Sequence, residues 1–361
     1  MWSMLGHKRD HAMLPKSWNE ADSYLMASIV GATRAFKMGK VMIYGANGYT
    51  GKLLSERALS TGMDFVLGGR TRDLLQSAAA ALRTPYRVFG LDDPGRIDSS
   101  LQGITVLMNC AGPFSRTAEP LIEACIRTGT HYLDASVELE TYVLAEQHDL
   151  SAKGANVMLL PGCGGSVATF GCLVGRALQH IDNVQRVDLA LHVSGSMSRG
   201  SAITASEGIS AACLQRHGGK LVAQDATNTA TFDFADGRGP VTCVPVTLPD
   251  IVTIHKFFGV QNIRTFANAS GDAFPTGDLN ALPDGPTAEH RAANQYDAAI
   301  IVTAVDGEVS RAAVRLLNGY TLIAIASVEA ARRVLVGDVQ SGFQTSATLF
   351  GFDFIGTASL A

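Results

Sequence analysis

Three glycines with fixed spacing are the clearest chemical signal in the chain. Gly45, Gly48 and Gly51 follow the apolar run Val41–Tyr44 and precede a helical pattern at 52–60. In such a strand–turn–helix unit, the first glycine permits a tight turn, the second lets a pyrophosphate approach the backbone, and the third allows close helix–strand packing. The helix N-terminus offers free N–H groups to phosphates. The spacing therefore predicts dinucleotide binding by the turn residues Gly45, Ala46, Asn47, Gly48, Tyr49, Thr50 and Gly51.

The end of the next predicted strand indicates which dinucleotide binds. The strand at 65–69 ends at Arg70, where a fold that prefers NAD usually carries a carboxylate for the ribose 2′-hydroxyl. A guanidinium matches the oxygens of a 2′-phosphate instead. The alternative is a surface arginine at the start of a helix. The sequence favours NADP(H) over NAD.

Later strand ends complete the predicted cofactor site. Asp92 closes the strand at 86–89, where it could meet the adenine edge. The strand at 105–109 leads into a loop of small residues, and ligands bind at the carboxyl ends of strands in open α/β sheets. We therefore expect cofactor contacts from the residues of this loop, which are Cys110, Ala111, Gly112, Pro113 and Phe114.

Three side chains are candidates for catalysis. Tyr132 and Asp134 end the strand at 131–134 and could donate or relay a proton. The alternative is that Tyr132 packs beneath the nicotinamide and Asp134 caps the following turn. Arg199 precedes a predicted helix at 202–216, where it could hold an anionic substrate group; ordinary helix capping is the alternative. No tyrosine has a lysine four residues later, which disfavours the acid pair of short-chain dehydrogenases.

The elements that carry these residues indicate two domains. Strands alternate with helices over 39–160, including one predicted helix at 138–153, which predicts an α/β Rossmann domain with a doubly wound parallel sheet. Residues 161–340 contain an alternating strand, two hairpins and a long loop at 270–287, which predicts an α+β domain with a mixed sheet. We expect 1–38 to be an extension outside the fold.

Composition excludes several classes of function. Only 17% of residues are charged and the net charge is −4, unlike a nucleic-acid binder. No run of 18 apolar residues predicts a membrane span. Six cysteines without a CxxC pair indicate reduced thiols in a cytoplasmic protein, and nine scattered histidines predict no metal site. We expect a small-molecule substrate, and apolar segments of the second domain leave a homodimer open.

The motifs resemble those of saccharopine dehydrogenase-like oxidoreductases, including members described as trans-acting enoyl reductases. The resemblance rests on the glycine turn, on Gly69-Arg70 and most specifically on residues 109–138. It continues through 161–175, 194–209 and 342–354, and so covers about 39–356.

The resemblance implies an NADP-binding Rossmann domain, to which residues 341–361 would return, and a second domain that supplies substrate contacts. Members of the wider group reduce imines or act on enoyl thioesters. This chain is shorter than true saccharopine reductases and shows no arginine cluster for a dicarboxylic amino acid. The expected function is NADP(H)-dependent reduction of a C=C (enoyl) or C=N (imine) bond. The alternatives are oxidative dehydrogenation of an amino or hydroxy substrate and NADP(H) sensing without turnover.

Overall fold

The computed structural model describes the backbone of residues 2–4, and residues 39–208, 212–271, 273 and 277–358. The elements as far as the last strand of the first domain are β1 (Trp2–Met4), β2 (Val41–Tyr44), α1 (Tyr49–Ser60), β3 (Phe65–Gly69), α2 (Arg72–Leu82), β4 (Tyr86–Val88), α3 (Pro94–Leu101), β5 (Val106–Asn109), α4 (Phe114–Thr128), β6 (His131–Asp134), α5 (Leu139–Gln147), α6 (Asp149–Gly154) and β7 (Met158–Leu160).

The remaining elements form the second domain and the C-terminal segment. They are α7 (Ser166–Ala177), β8 (Val184–Ser194), α8 (Arg199–Gly208), β9 (Leu214–His217), β10 (Lys220–Ala223), β11 (Ala230–Phe232), β12 (Val241–Pro245), α9 (Asp250–Phe258), β13 (Ile263–Ser270), a 3-10 helix (Leu279–Ala281), α10 (Ala288–Ala293), β14 (Tyr296–Ala304), β15 (Val309–Leu316), α11 (Gly319–Leu335), β16 (Gly342–Phe343), α12 (Ser346–Phe350) and α13 (Phe354–Ala358).

The first sheet is parallel and confirms the predicted doubly wound domain. Its seven strands follow the order β16-β7-β6-β5-β2-β3-β4. The residues of β2, β3 and β5 are buried throughout, because helices cover both faces of the sheet. The chain runs outward from β2 in one direction and from β5 in the other. A crevice for ligands therefore opens at the carboxyl ends of β2 and β5.

The second sheet is mixed, as predicted. Its main path is β1-β15-β14-β8-β13-β12-β11, and β9 pairs with both β10 and β13. The β8–β13 pair is parallel, whereas β14 is antiparallel to β8 and to β15. Helices α7 and α9 pack on this sheet. A smaller apolar cluster, which includes Phe232, Phe234 and Phe266, packs in a separate layer of this domain.

Two predicted helices differ from the observed elements. The helix predicted at 202–216 is wrong at its end, because α8 ends at Gly208 and residues 214–217 form β9. Gly218 and Gly219 both have positive φ, at 55° and 77°, and turn the chain so that β10 pairs with β9. The helix predicted at 138–153 is two helices, α5 and α6. The Asp149 carboxylate at the start of α6 accepts the backbone N–H of Phe343 at 2.8 Å.

The first and last described strands each pair with a different sheet. Trp2–Met4 pairs with β15 at the edge of the mixed sheet, and residues 5–38 lie outside the described part of the chain. In the C-terminal segment, β16 pairs with β7 of the parallel sheet, with Gly342 opposite Met158. The predicted long loop at 270–287 lies partly outside the described residues and contains the 3-10 helix.

Candidate active site

A cleft of about 1090 Å³ lies between the two sheets. The first domain lines it with the glycine turn, the end of β3, the loop after β5 and residues 137–140. The second domain contributes the start of α8, residues 245–248 and the starts of β14 and α11. Ligand pockets are typically ~300–1,000 Å³, so this cleft has room for a dinucleotide together with a substrate.

Two of the three motif glycines are required by the fold itself. Gly45 has φ of +81°, and a Cβ there would lie 2.7 Å from the backbone nitrogen of Ala111. A Cβ on Gly51 would lie 2.3 Å from the carbonyl oxygen of Gly45. At Gly48 φ is −75°, and the nearest atom to an added Cβ is the Gly45 oxygen at 3.3 Å. A side chain at Gly48 is therefore compatible with the backbone, and the absence of one leaves the adjoining part of the cleft open to a ligand.

The N-terminus of α1 is open to the cleft. Among the described residues no side chain caps this helix, and its first turn contains no acidic residue. The turn residues that line the cleft are Gly45, Asn47, Gly48, Tyr49 and Thr50, whereas Ala46 and Gly51 are buried behind them. Free N–H groups and the positive end of the helix dipole suit a phosphate. The residues present therefore fit a dinucleotide.

Several other helix N-termini at the cleft are less suited to an anion. The Glu138 carboxylate accepts the backbone N–H groups of Phe114 and Ser115, at 3.0 and 2.8 Å, at the start of α4. The hydroxyl of Ser198 accepts the N–H of Ser201 at 3.2 Å at the start of α8. The first turns of α2 and α5 contain the acidic residues Asp73 and Glu140, so α1 is the better site for a phosphate.

Arg70 and Asp92 differ in their position relative to the cleft. Arg70 is exposed and lines the cleft next to Gly69. Asp92 is exposed and is not part of the cleft wall. Burial raises the pKa of Tyr44 to about 12; the charge of Arg70 lowers it and that of Asp92 raises it. Both side chains thus act on the same cleft tyrosine, and their contacts with a cofactor stay predictions.

Tyr132 and Asp134, the predicted proton donors, do not reach the cleft. Both are fully buried, and Tyr132 donates to Asp134 at 2.8 Å and accepts from Asn109 at 3.2 Å. Asp134 also accepts the N–H groups of Ser136 and Gly162, at 2.9 and 2.7 Å. Burial raises the pKa of Asp134 to about 6, although these hydrogen bonds lower it. The pair holds the end of β6 to the loop after β7, so its position favours a structural role.

The loop after β5 contributes four of its five predicted residues to the cleft wall: Cys110, Ala111, Gly112 and Phe114. Asn109 accepts the N–H of Ala111 at 3.0 Å, and Thr117 donates to the carbonyl of Ala111 at 2.6 Å. Pro113 instead follows a cis peptide bond and precedes α4. These bonds fix a loop of small residues against which a flat ring can pack.

Burial disfavours the reactive form of the cysteines beside this loop. It raises the pKa of Cys110 above its usual range, and raises that of Cys163 to about 12. The Cys163 thiol lies 3.3 Å from the carbonyl oxygen of Asp134. Because the thiolate is the nucleophilic form of cysteine, these surroundings favour a packing role for both side chains.

Arg199, the third predicted catalytic residue, lines the cleft but is engaged elsewhere. Its Nε donates to the carbonyl of Leu282 at 2.8 Å, and its Nη2 contacts Asp284 at 3.0 Å. Asp284 also pairs with Lys52 of α1 at 3.2 Å. The guanidinium therefore joins the start of α8 to the loop at 282–286, and Lys52 joins the same loop to α1.

Sequence reasoning missed the contacts that hold this loop over α1. Tyr49 donates to the carbonyl of Pro286 at 2.5 Å and accepts from Arg291 at 2.7 Å. A Cβ on Gly285 would lie 2.5 Å from the Tyr49 ring, which itself packs edge-on against Tyr320 at 5.1 Å. The Gly-Pro pair at 285–286 was the available signal of a tight approach.

The second-domain half of the cleft combines apolar side chains with hydroxyl and amide groups. The second-domain wall includes Met197, Leu214, Val246, Leu248 and Ile323. Its charged side chains, in the part of the chain that the structure describes, are Arg199 and Asp284, which pair with each other.

A metal centre requires several ligating side chains close together, and a membrane span requires a long apolar helix. Over the described ranges, no group of three or more His, Cys, Asp or Glu side chains could hold a metal ion. No helix there has both the length and the apolar character needed to cross a membrane.

Residues 41–158 match the family model described as the saccharopine dehydrogenase NADP binding domain. A trans-acting enoyl reductase of Mycobacterium leprae is 31% identical over 134 residues, or 34% of this chain and 32% of that protein. A human saccharopine dehydrogenase-like oxidoreductase is 27% identical over 158 residues, covering 38% and 37% of the two chains. The matched region thus spans about a third of each relative.

A solved structure shares the whole two-domain fold. Apo saccharopine dehydrogenase (L-Glu forming) from Saccharomyces cerevisiae superposes with a TM-score of 0.58 at 10% identity, and covers 89% of this chain and 96% of that one. At this identity the likeness concerns the fold alone. The fold of the first domain and the uncapped α1 agree with the match of residues 41–158 to the model of the saccharopine dehydrogenase NADP binding domain.

Proposed function

We propose that the chain is an NADPH-dependent reductase of a C=C or C=N bond in a neutral, largely apolar substrate. One observation carries this proposal: the cleft has a dinucleotide cradle on one side and, on the other, a wall whose described charged side chains, Arg199 and Asp284, pair with each other. A bound nicotinamide cofactor supplies the hydride. The chain's own residues bind phosphate at α1, pack the loop after β5 against the ring and exclude water with the loop at 282–286.

The preference for NADP(H) rests on Arg70. Its guanidinium lines the cleft where β3 ends, which is where the ribose 2′ position lies in dinucleotide folds. The family model that matches residues 41–158 is also one for NADP. A planar guanidinium can bond two phosphate oxygens at once.

The preference for a neutral substrate rests on the charges of the second-domain wall. Saccharopine carries several carboxylates, and each needs a cation or several N–H donors when it leaves water. Arg199 already pairs with Asp284, and the start of α8 is capped by Ser198. An enoyl thioester makes no such demand, and the relative from Mycobacterium leprae is named an enoyl reductase.

Substrate profiling with both redox forms of the cofactor tests the proposal. We expect NADPH oxidation with trans-dodec-2-enoyl thioester, and no NADP⁺ reduction with saccharopine. Oxidation of saccharopine would contradict the proposal and favour the oxidative dehydrogenase. Tight NADPH binding without turnover of any enoyl or imine substrate would favour the NADP(H) sensor.

A variant of the apolar wall separates substrate binding from cofactor binding. Met197 lines the cleft and is only partly buried. Met197→Glu is expected to lower kcat/KM for the dodecenoyl thioester at least ~10-fold, because it places a charge against an apolar chain. The affinity for NADPH should not change. Met197→Leu, a control of similar volume, should retain activity. The homodimer stays a prediction.

A further inference from the structure

Three hydroxyl groups form a connected network on the second-domain wall of the cleft. Ser198 lies just before α8, Ser201 lies in its first turn, and Tyr320 lies at the start of α11. The hydroxyl of Tyr320 accepts the backbone N–H of Ser198 at 2.7 Å and donates to Ser201 Oγ at 2.9 Å. The fold brings Ser201 and Tyr320 together, although they are 119 positions apart in the chain.

The directions of these hydrogen bonds leave one hydrogen available. Ser198 Oγ accepts the N–H of Ser201 at 3.2 Å and donates to Ser201 Oγ at 3.0 Å. Ser201 Oγ therefore accepts two hydrogen bonds, which occupy both of its lone pairs. Its own O–H has no acceptor among the described residues. Because Ser201 lines the cleft and is partly exposed, this O–H can bond a molecule bound there.

The network strengthens this donor and fixes its direction. Each hydrogen bond that Ser201 Oγ accepts draws electron density from its O–H, which makes that O–H a better donor. The two accepted bonds also hold the oxygen in place, so the remaining hydrogen has little freedom. A carbonyl oxygen in the apolar half of the cleft would meet a donor that is already oriented.

Ser201 faces the loop that is expected to pack against the nicotinamide. Thr204 lies three residues further along α8 and therefore on the same face of that helix. Its Oγ1 would lie 4.0 Å from a Cβ on Gly112, which belongs to the loop after β5. The face of α8 that carries Ser201 thus crosses the cleft at the end of the crevice where β5 terminates.

Resting on the reductase function, we propose that Ser201 is a catalytic residue that donates to the carbonyl oxygen of an α,β-unsaturated carbonyl substrate. Tyr320 and Ser198 are its positioning residues. When hydride adds to the β-carbon, a C–H bond forms there and the π electrons shift, so that negative charge develops on the carbonyl oxygen. The Ser201 O–H stabilises that charge. A proton from water then adds to the α-carbon as the C=O bond is restored.

The same geometry disfavours an imine at this position. A protonated imine is a cation, and it would face an O–H donor and the positive end of the α8 dipole. A neutral carbonyl oxygen, by contrast, is an acceptor and becomes more negative during the reaction. The network therefore narrows the proposed substrate from C=C or C=N compounds to enoyl compounds.

A chromophoric aldehyde tests the site without turnover. The absorption of 4-dimethylaminocinnamaldehyde moves to longer wavelength when its carbonyl accepts a hydrogen bond. With NADP⁺ present, we expect this shift in the wild-type protein and in Ser206→Ala, and its loss in Ser201→Ala. Ser206 is a matched control because it is an exposed serine of the same helix whose Oγ donates to Ile203 at 2.7 Å. Tyr320→Phe should retain only part of the shift, since it removes one donor to Ser201.

Turnover supplies the second readout. Ser201→Ala is expected to lower kcat for the dodecenoyl thioester ~100-fold, the typical effect of removing one such donor, with little change in KM. Tyr320→Phe should fall between Ser201→Ala and wild type, and Ser206→Ala should match wild type.

The two readouts separate the site from the reaction. A carbonyl shift that depends on Ser201, in a protein without enoyl turnover, would support the carbonyl site and overturn the reductase. An unchanged shift in Ser201→Ala, or no shift in the wild-type protein, would overturn the role of Ser201 whatever the turnover.

Discussion

Gly48→Val tests whether glycine at this position serves cofactor binding or the stability of the fold. The backbone at Gly48 has φ of −75° and ψ of 166°, a conformation that valine adopts readily. The added Cβ meets the Gly45 carbonyl oxygen at 3.3 Å, so the neighbour must move by only a few tenths of an ångström. We expect a stability loss of about 1 kcal/mol, the usual size of a change at a helix N-cap.

The loss of cofactor affinity should be much larger. The valine side chain would occupy the space through which a pyrophosphate reaches the first-turn N–H groups of α1. Losing two charge-assisted hydrogen bonds, each worth about 1.5 kcal/mol or more, predicts that the Kd for NADPH rises at least ~100-fold. Fluorescence titration with NADPH and thermal melts of the same samples measure the two effects.

Two other glycines provide controls for this experiment. Gly95→Val changes an exposed glycine in the first turn of α3, where the nearest atom to an added Cβ is 3.5 Å away, and should leave NADPH binding unchanged. Gly51→Val should destabilise the fold itself, because its Cβ would lie 2.3 Å from the Gly45 oxygen. Wild-type affinity for NADPH in a folded Gly48→Val would refute the phosphate site at α1.

Three further changes test other parts of the account. Burial raises the pKa of Asp250 from 3.8 to about 7, so the contribution of this carboxyl group to stability is full below pH 3.8 and is lost as the pH rises to about 7. Between pH 5 and 7 the free energy of unfolding of Asp250→Asn, measured in urea melts, should therefore rise by about 3 kcal/mol relative to that of the wild type, and an equal pH dependence of the two proteins would contradict this. Asp284→Ala removes exposed ion pairs, so it should lower the free energy of unfolding by under ~1 kcal/mol in thermal melts, and the freed Arg199 should make turnover sensitive to inhibition by glutarate. If glutarate inhibits Asp284→Ala no more than it inhibits the wild-type protein, Arg199 is not held by Asp284 as described. Tyr132→Phe leaves an oxygen of buried Asp134 without its donor and should cost about 1–3 kcal/mol, with kcat unchanged; a large loss of kcat in a stable variant would restore Tyr132 as a catalytic residue.

Local patterns predicted the first domain well because its signals lie close together in the chain. The apolar strand 65–69 coincides with β3, and the glycine turn leads directly into α1. In a parallel sheet, buried strands are nearly continuous apolar runs, so their positions can be predicted from residue type alone. The return of the chain to β16 is a long-range pairing, and the resemblance rather than any local pattern suggested it.

Strand geometry explains why the catalytic candidates Tyr132 and Asp134 lie outside the cleft wall. Tyr132 and Asp134 are polar residues near the carboxyl end of a strand, which suggested a cleft position. Alternate residues of a strand share one face, so these two side chains lie together and bond each other beneath the sheet edge. A polar pair at i and i+2 is therefore also a sign of internal pairing.

The contacts that shape the second half of the cleft could not be predicted from spacing. Tyr49 meets Pro286 from 237 positions away, and Tyr320 meets Ser201 from 119 positions away. Each of these residues alone looks like an ordinary turn or helix residue. The role of Arg199 depended likewise on Asp284, whose loop position has no periodicity. Such partners are determined by tertiary packing.

Parallel fluorescence titrations of the wild-type protein with NADPH and NADH test the central claim most directly. We expect tight NADPH binding and at least ~10-fold weaker NADH binding, a difference in binding free energy of about 1.4 kcal/mol or more, because Arg70 is proposed to bind the 2′-phosphate. Arg70→Asp should abolish that preference without unfolding the chain, since Arg70 is exposed. Equal affinity for both cofactors would contradict the role of Arg70, and binding of neither would contradict the cofactor site as a whole.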